Sequence, residues 1–393
     1  MTASQSVAAR RMSGGRKVLA GFLLSGFLMA SLGAVLPVWG YHRDPPRFIA
    51  VGNYFLSLAA GTVASPSLAR RLLVGWSLSR TLVFACSLSS AALACLALLS
   101  PPLSSWWRVA GLAVLGSGVG ILNFTLFHAI VPGSYPDPAS TVSLGGLWYG
   151  FGCLSATLLA AATLNAYAPI GVLLLMALVP AAFAILYAAT PLSGNSNANS
   201  ARHSGKDFRS LTAVLFTLLL FFQFGNEWSV AGWLALFLIR RVGLSPIAGL
   251  LTLALYWLLL LAGRLLSIHI LRYVHHGLLL GVGALAALFG SFLLYFTNNS
   301  FGAAAGVVFI AGGYATIYPL LAQLIGRRLP QYNAGFGSSI LLLAIAGGLL
   351  APAAVGYAAS ILGVGVVIGL PFLGTCMVLT LLMLLWVESR LAQ

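Results

Sequence analysis

The sequence predicts an all-α membrane protein with twelve transmembrane helices in two six-helix pseudo-symmetric halves. Three observations carry that prediction. The 393 residues are 60% hydrophobic and only 6% charged, where a soluble globular chain carries about 25% charged residues. Twelve separate apolar runs approach or exceed the roughly 20 residues a helix needs to cross the hydrocarbon core of a bilayer. One long polar segment, Pro191 to Ser210, falls between the sixth and seventh runs.

In chain order the spans are expected at 18–40, 48–69, 75–99, 107–130, 140–163, 168–189, 210–238, 245–268, 277–297, 302–325, 335–360 and 362–386. The first follows Arg10, Arg11, Arg16 and Lys17. It is longer than a signal-peptide core and has no obvious cleavage site, so it reads as an uncleaved span. Arg10 and Arg11 read as anchoring charge in preference to a twin-arginine signal. Turn and charge signals separate the later spans: His42 to Pro46, Arg70-Arg71, Ser100 to Pro102, Pro132 through Pro138, Asn298-Asn299 and Arg327-Arg328. The Pro191 to Ser210 segment is rich in Asn, Ser and Gly, the composition of a flexible linker. It divides the chain into a six-helix half over 1–190, a cytoplasmic linker over 191–209 and a second half over 210–393. A basic turn follows the second span of each half, at Arg70-Arg71 and again from Arg264 to Arg272. A duplicated 6+6 transporter with its path between the halves fits this pattern.

Charge fixes the expected orientation. Of the 20 Lys and Arg, fifteen fall in the N-terminal segment and on one side of the predicted spans. The other side holds Arg43, Arg47, Arg108, Arg240 and Arg241. Cytoplasmic loops carry the excess of Lys and Arg, so both termini are expected in the cytoplasm, with the protein in a bacterial inner (plasma) membrane. The net charge of +15 does not indicate nucleic acid, because the cations are spread through short loops. Cys86, Cys95, Cys153 and Cys376 lie in apolar segments with no C-x-x-C spacing, which argues against a zinc site or a disulfide framework. No metal or cofactor is expected. Nor is an enzyme: intramembrane proteolysis needs a second carboxylate, a Ser–His pair or a metal motif, and no partner carboxylate or H-E-x-x-H is present.

The chemistry concentrates in Phe221 to Trp233 of the seventh span. Glu227 is the one acidic residue inside a hydrophobic run. A carboxylate at membrane depth costs several kcal/mol and points to function. It is the expected proton-coupling group, with no cation expected at comparable depth to neutralise it. Gln223 lies one turn earlier on the same face. Gln223, Asn226 and Trp228 are candidate substrate contacts, while Trp233 reads as an anchor near the outer interface. Elsewhere, Asn123 in span four, Asn53 in span two, and Tyr314 and Tyr318 at i, i+4 in span ten could line a polar cavity or bond neighbouring helices. His128 could relay protons or stand at the interface. Trp148, Tyr149, Tyr256 and Trp257 read as packing residues. The glycines Gly111, Gly116, Gly118 and Gly120 read as helix-contact positions, not a phosphate loop.

On these residues the chain resembles the major facilitator superfamily over nearly its whole length, and within it the fucose-permease branch. The stretches that carry the resemblance are Gly26 to Pro37, Asn226-Glu227-Trp228-Ser229-Val230-Ala231-Gly232-Trp233, Gly313 to Pro319 and Gly347 to Pro352. The resemblance implies secondary transport of a small-molecule substrate, possibly a sugar, by a monomer bathed in membrane lipid, with the proton as coupling ion. It implies gating roles for Arg70, Arg71 and Arg264, the last without substrate contact. Two departures stand out. The turn Ser65 to Arg71 lacks the family's Asp, and spans one and four hold no carboxylate, which leaves coupling to Glu227 with His128. Two other readings stay open: an exporter of a siderophore or drug-like metabolite, and a transporter-like receptor that has lost turnover.

Overall fold

The computed structural model describes residues 3–43, 47–129, 138–189, 210–270, 276–328 and 339–391. Among them there is no strand, and twelve helices are long and apolar enough to cross a membrane. In the first half these are α1 (Ala3–Val38), α2 (Phe48–Gly75), α3 (Leu78–Leu98), α4 (Ser105–Ala129), α5 (Pro138–Thr163) and α6 (Pro169–Ala189). In the second they are α7 (Leu211–Phe237), α8 (Pro246–Ile270), α9 (His276–Phe296), α10 (Ser300–Arg328), α11 (Ser339–Leu362) and α12 (Val366–Leu391). The linker expected at 191–209 lies outside the described residues, as do Arg272 and the turn over 130–137.

Helix ends follow the capping groups. The Ser77 hydroxyl accepts from the Arg80 backbone N–H at 3.3 Å and starts α3. Ser245 does the same for the Ala248 N–H at 3.2 Å ahead of α8, and Asn299 Oδ1 accepts from the Gly302 N–H at 2.7 Å in α10. Each satisfies one of the backbone donors left over in a first helical turn. One expected boundary is corrected. Arg70 and Arg71 were read as a turn, but α2 runs on to Gly75 and both are exposed on it. Two charges at a helix end mark the edge of the apolar run, whereas the backbone stays helical until Ser77 offers a new cap. Beyond α7 the helix loosens into a π turn, Leu238–Val242, closed by Gly243 at φ 77°. A left-handed φ of that kind suits glycine.

The chain divides into two compact units. The first comprises Met1–Ser31 and Ser57–Asn199. Within it α3 packs on α4 and α6, and α5 on α6. Its backbones approach closely at small residues: a Cβ added at Gly152 would sit 1.9 Å from the Leu23 carbonyl oxygen, and one at Gly116 would sit 2.2 Å from that of Leu58. These glycines are helix contacts, as van der Waals packing in lipid favours. The buried Arg108 donates to the carbonyls of Leu99 at 2.9 Å and Leu103 at 3.0 Å, closing the turn between α3 and α4.

The second unit comprises Leu32–Leu56 and Ser200–Gln393. Packing thus joins the tip of the α1–α2 hairpin to α7 through α12, although the linker sets the sequence boundary near 200. Within this unit α7 lies against α8, α10, α11 and α12, while α10 packs on α8 and α9. Trp233 is fully buried, its Nε1 donating to the Pro352 carbonyl at 2.8 Å, with the rings of Phe48 and Phe55 at 6.2 and 5.8 Å. The outer-interface role expected for Trp233 is therefore corrected: hairpin tip and α11 cover it. Arg240, in the π turn, donates to the His42 carbonyl at 2.9 Å and the Arg43 carbonyl at 3.3 Å. At the opposite end of α7 the Thr212 hydroxyl bonds to Glu388 of α12, which also pairs with Arg328 of α10 at 3.6 Å.

Candidate functional site

Glu227 sits near the middle of the seventh span and is 5% exposed. Its Oε1 lies 2.5 Å from the Arg264 guanidinium of α8. The expectation of a carboxylate with no cation at its depth is therefore corrected. Arg264 stands six residues before the end of α8, not at its terminus. One helical turn is 5.4 Å, so that difference carries the guanidinium well into the bundle. A Cβ at the neighbouring Gly263 would meet Ala315 Cβ at 2.5 Å, which lets α8 lie close to α10 at this level. The pair resolves the cost of each charge alone, since an opposite charge at hydrogen-bond distance offsets part of the desolvation of both.

Around the pair lies a collar of polar and aromatic groups, all in the second unit. Tyr256 of α8 donates its hydroxyl to the Glu227 backbone carbonyl at 3.0 Å. Trp257 packs on Trp228 at 5.5 Å and on Tyr256 at 5.6 Å. Tyr318 of α10 is within electrostatic reach of both Glu227 and Arg264, and its ring meets Phe224 at 5.3 Å. Gln223 reaches across with its amide nitrogen to the Tyr314 carbonyl at 3.5 Å.

A second network runs from Asn226 to α12. Thr375 donates its hydroxyl proton to the Pro371 carbonyl at 2.7 Å. Its oxygen is then left to accept, from the Asn226 amide at 3.3 Å and from the Tyr314 hydroxyl at 2.9 Å. A Cβ at Gly374 would fall 2.0 Å from Asn226 Oδ1, so only glycine fits beside that amide. Gln223 Oε1 and Trp257 Nε1 in this region are buried with no hydrogen-bond partner among the described residues. A buried orphan of this kind is uncommon in a settled core and marks a place where another group belongs.

The structure brings Gln223, Asn226, Glu227, Trp228, Tyr314, Tyr318 and Arg264 into one neighbourhood. Asn226 and Tyr314, read as substrate contacts, bond to Thr375 through the Asn226 amide nitrogen and the Tyr314 hydroxyl. Asn53 accepts from the Tyr357 hydroxyl at 2.6 Å, in the hairpin-tip contact. Asn123 and His128 belong to the first unit. Asn123 Oδ1 accepts from Ser25 at 2.6 Å. His128 stacks on Phe124 at 6.4 Å, and Arg70 lies over the same ring at 5.8 Å. Tyr256 and Trp257, read as packing, belong to the site. The signal was available, since Trp257 precedes Arg264 by seven residues and so shares its face. Thr375 carried no signal beyond the small residue before it.

Comparison with known proteins agrees with this architecture. No protein-family profile matches the sequence. An uncharacterized MFS-type (major facilitator superfamily) transporter of Yersinia pestis is 24% identical over 357 residues, covering 88% of this chain and 89% of its own. Among solved structures, the bacterial homologue of the human lysosomal transporter Spinster has a TM-score of 0.74 at 13% identity, covering 95% of this chain and 96% of that one. A D-xylose–proton symporter gives 0.71 at 14% identity, with 95% and 96% covered. The E. coli fucose:proton symporter FucP gives 0.59 at 15% identity, with 95% and 99% covered.

Proposed function

We propose that this chain, an integral membrane protein with the major facilitator superfamily fold and not an enzyme, is a secondary active transporter coupled to protons through Glu227. It moves a small polar organic solute by alternating access, as a monomer in a bacterial inner membrane with both termini in the cytoplasm. The observation that carries this reading is the buried Glu227–Arg264 pair in a collar with two unpartnered polar atoms. A bare ion pair is a poor source of stability, because desolvating both charges costs about as much as their attraction returns. Titratable groups inside membrane spans are commonly parts of ion and substrate pathways. Protonating Glu227 breaks the pair and changes what the site binds, which is how a proton biases one conformation over another.

The solute class follows from the walls. Indoles at 228 and 257 and the Tyr318 ring offer flat faces, while Gln223 and Trp257 offer one acceptor and one donor. That combination suits a compact, partly hydroxylated molecule, and sugar symporters are among the proteins of similar fold. Arg264 is reassigned in this proposal from a gate to the counter-ion of the coupling carboxylate. Arg70 and Arg71 keep the proposed gating role, at the end of α2. His128, stacked on Phe124 in the first unit, is proposed as a proton relay at most for that unit.

The test is transport in proteoliposomes under an imposed pH gradient, with labelled L-fucose and D-xylose as probes. Wild-type protein should accumulate a probe only with the gradient. Glu227→Gln should lose the gradient-driven part while keeping exchange of the same probe across the membrane. Gradient-driven accumulation that is unchanged in Glu227→Gln would remove Glu227 from coupling.

A further inference from the structure

We infer that Gln223 holds the proton-loaded form of Glu227: its side-chain carbonyl accepts the hydrogen bond that the Glu227 carboxyl donates once protonated. Gln223 is thereby a positioning residue for coupling as well as a wall of the solute site. This rests on the proposed transporter reading and deepens it.

The amide of Gln223 is oriented by its neighbour on α10. A backbone carbonyl only accepts, so the 3.5 Å contact to the Tyr314 carbonyl must be made by Nε2. That leaves Oε1, which is buried in a side chain 0% exposed and meets no donor among the described residues. A buried acceptor without a donor is costly, so a donor should reach it at another point of the transport cycle. The Tyr314 hydroxyl bonds to Thr375, and the Tyr256 hydroxyl bonds to the Glu227 backbone carbonyl. The Trp257 indole lies on α8 against Trp228 and Tyr256.

Glu227 follows Gln223 by four residues, and side chains at that spacing on a helix reach one another. In the structure Glu227 pairs with Arg264 at 2.5 Å. An ionised carboxylate is acceptor-only, so it offers nothing to Gln223 Oε1, and the orphaned oxygen belongs to the proton-free state. Protonation changes this. Hydronium gives its proton to one carboxylate oxygen and leaves as water, and the new O–H donates to Gln223 Oε1. Among the described residues, the titratable groups at this level are Arg264 and Tyr256 of α8 and Tyr314 and Tyr318 of α10. Tyr357 of α11 bonds to Asn53, while α12 brings Cys376 next to Thr375 and Glu388, which bonds to Thr212 at the far end of α7. Tyr318, within electrostatic reach of Glu227, is the competing donor that a test must separate. A side-chain carbonyl has two lone pairs, so Gln223 can accept from Glu227 and from a solute hydroxyl together. Proton and solute then meet on one oxygen, which links the loading of one to the loading of the other.

The test is a double-mutant cycle on detergent-purified full-length protein, read as unfolding temperature. Glu227→Gln supplies an amide N–H in place of the O–H of the protonated acid. In that background Gln223→Met should lower the unfolding temperature by a few degrees, the scale of one hydrogen bond. In the wild-type background, where Glu227 pairs with Arg264, the same substitution should cost distinctly less, since loss of the Tyr314 contact is common to both. The gap should persist in Tyr318→Phe. Infrared difference spectra on acidification give the second readout. The acid carbonyl band that Glu227→Gln removes should move to higher wavenumber in Gln223→Met, as a carboxyl that has lost its acceptor does. An equal cost of Gln223→Met in both backgrounds, a gap that vanishes in Tyr318→Phe, or a band that stays in place would overturn the inference and leave the transporter reading standing. A wild-type spectrum with no band from Glu227 would count against both.

Discussion

At the residue scale, the Glu227–Arg264 pair is buried at 2.5 Å and sensitive to loss of either partner. Removing one partner of a buried pair leaves the other unpaired and costs roughly 3–5 kcal/mol, while replacing both together costs much less. Arg264→Gln alone should therefore lower the thermal unfolding temperature of the detergent-purified protein markedly. The double variant Glu227→Gln/Arg264→Gln should recover most of that loss. Equal, additive losses in the two single variants and the double would mean that the groups do not interact. Gly374 supplies a second residue-scale prediction. Its Cβ would fall 2.0 Å from Asn226 Oδ1, so Gly374→Val should break the Asn226–Thr375 contact, whereas Thr375→Val should remove the bond and keep the packing. Comparison of their unfolding temperatures separates steric from hydrogen-bond loss, with Gly374→Val the lower.

Glu227 was legible in the sequence, because a carboxylate inside an apolar run stands alone. Its partner was not. Arg264 is 37 positions away, and a cation near the edge of an apolar run looks like a helix end. That helix in fact continues to Ile270. The close approach of α8 to α10 at Gly263 is visible only in three dimensions.

At the element scale, the hairpin tip between α1 and α2 is tied to the second unit by side chains from α7, α11 and the π turn. His42 stands within it. Its Nδ1 is buried without a partner, and burial, then Arg43, then Arg240 push its pKa below the ordinary value of 6.5. Asp44 lies outside the described residues. The sign follows from linkage. A histidine whose folded pKa is depressed takes up protons less readily when docked than when released. Docking is therefore at full strength above about pH 6.5 and weakens as pH falls from there toward the depressed value. Hydrogen exchange of residues 48–56 should accelerate on acidification through that range, and His42→Gln should flatten the response. An identical acid response in His42→Gln would place the switch elsewhere. Trp233 anchors the same contact, and Trp233→Ala should cost about 3–5 kcal/mol as for other fully buried large aromatics.

Element lengths were readable from apolar runs to within a few residues, and the caps at Ser77, Ser245 and Asn299 explain the true starts. The Arg70-Arg71 boundary failed because charge marks where a helix leaves the apolar layer, which is not where its hydrogen bonds stop. The hairpin-tip contact was illegible for a different reason. Phe48 and Phe55 read as ordinary apolar residues, and nothing in a one-dimensional pattern pairs them with Trp233.

At the scale of the whole molecule, composition alone was enough for the class. A chain with 6% charged residues and twelve apolar runs has few options besides a helical membrane protein. The sequence puts its six-plus-six division at the polar linker, whereas the compact units of the structure group residues 32–56 with the second unit, which needed coordinates. The account expects both termini in the cytoplasm. In right-side-out cells, cysteines placed at the described Arg16 and Leu391 should resist a membrane-impermeant maleimide, and one placed at Arg47 should react.

The central claim is that Glu227 takes up the proton that travels with the solute. Infrared difference spectroscopy on the reconstituted protein tests it most directly, by recording the carbonyl stretch of a protonated carboxylic acid when L-fucose or D-xylose is added. The account predicts that this band appears in wild-type protein and is missing in Glu227→Gln. A band of equal size in both proteins, or solute binding to wild-type protein with no such band, would contradict it.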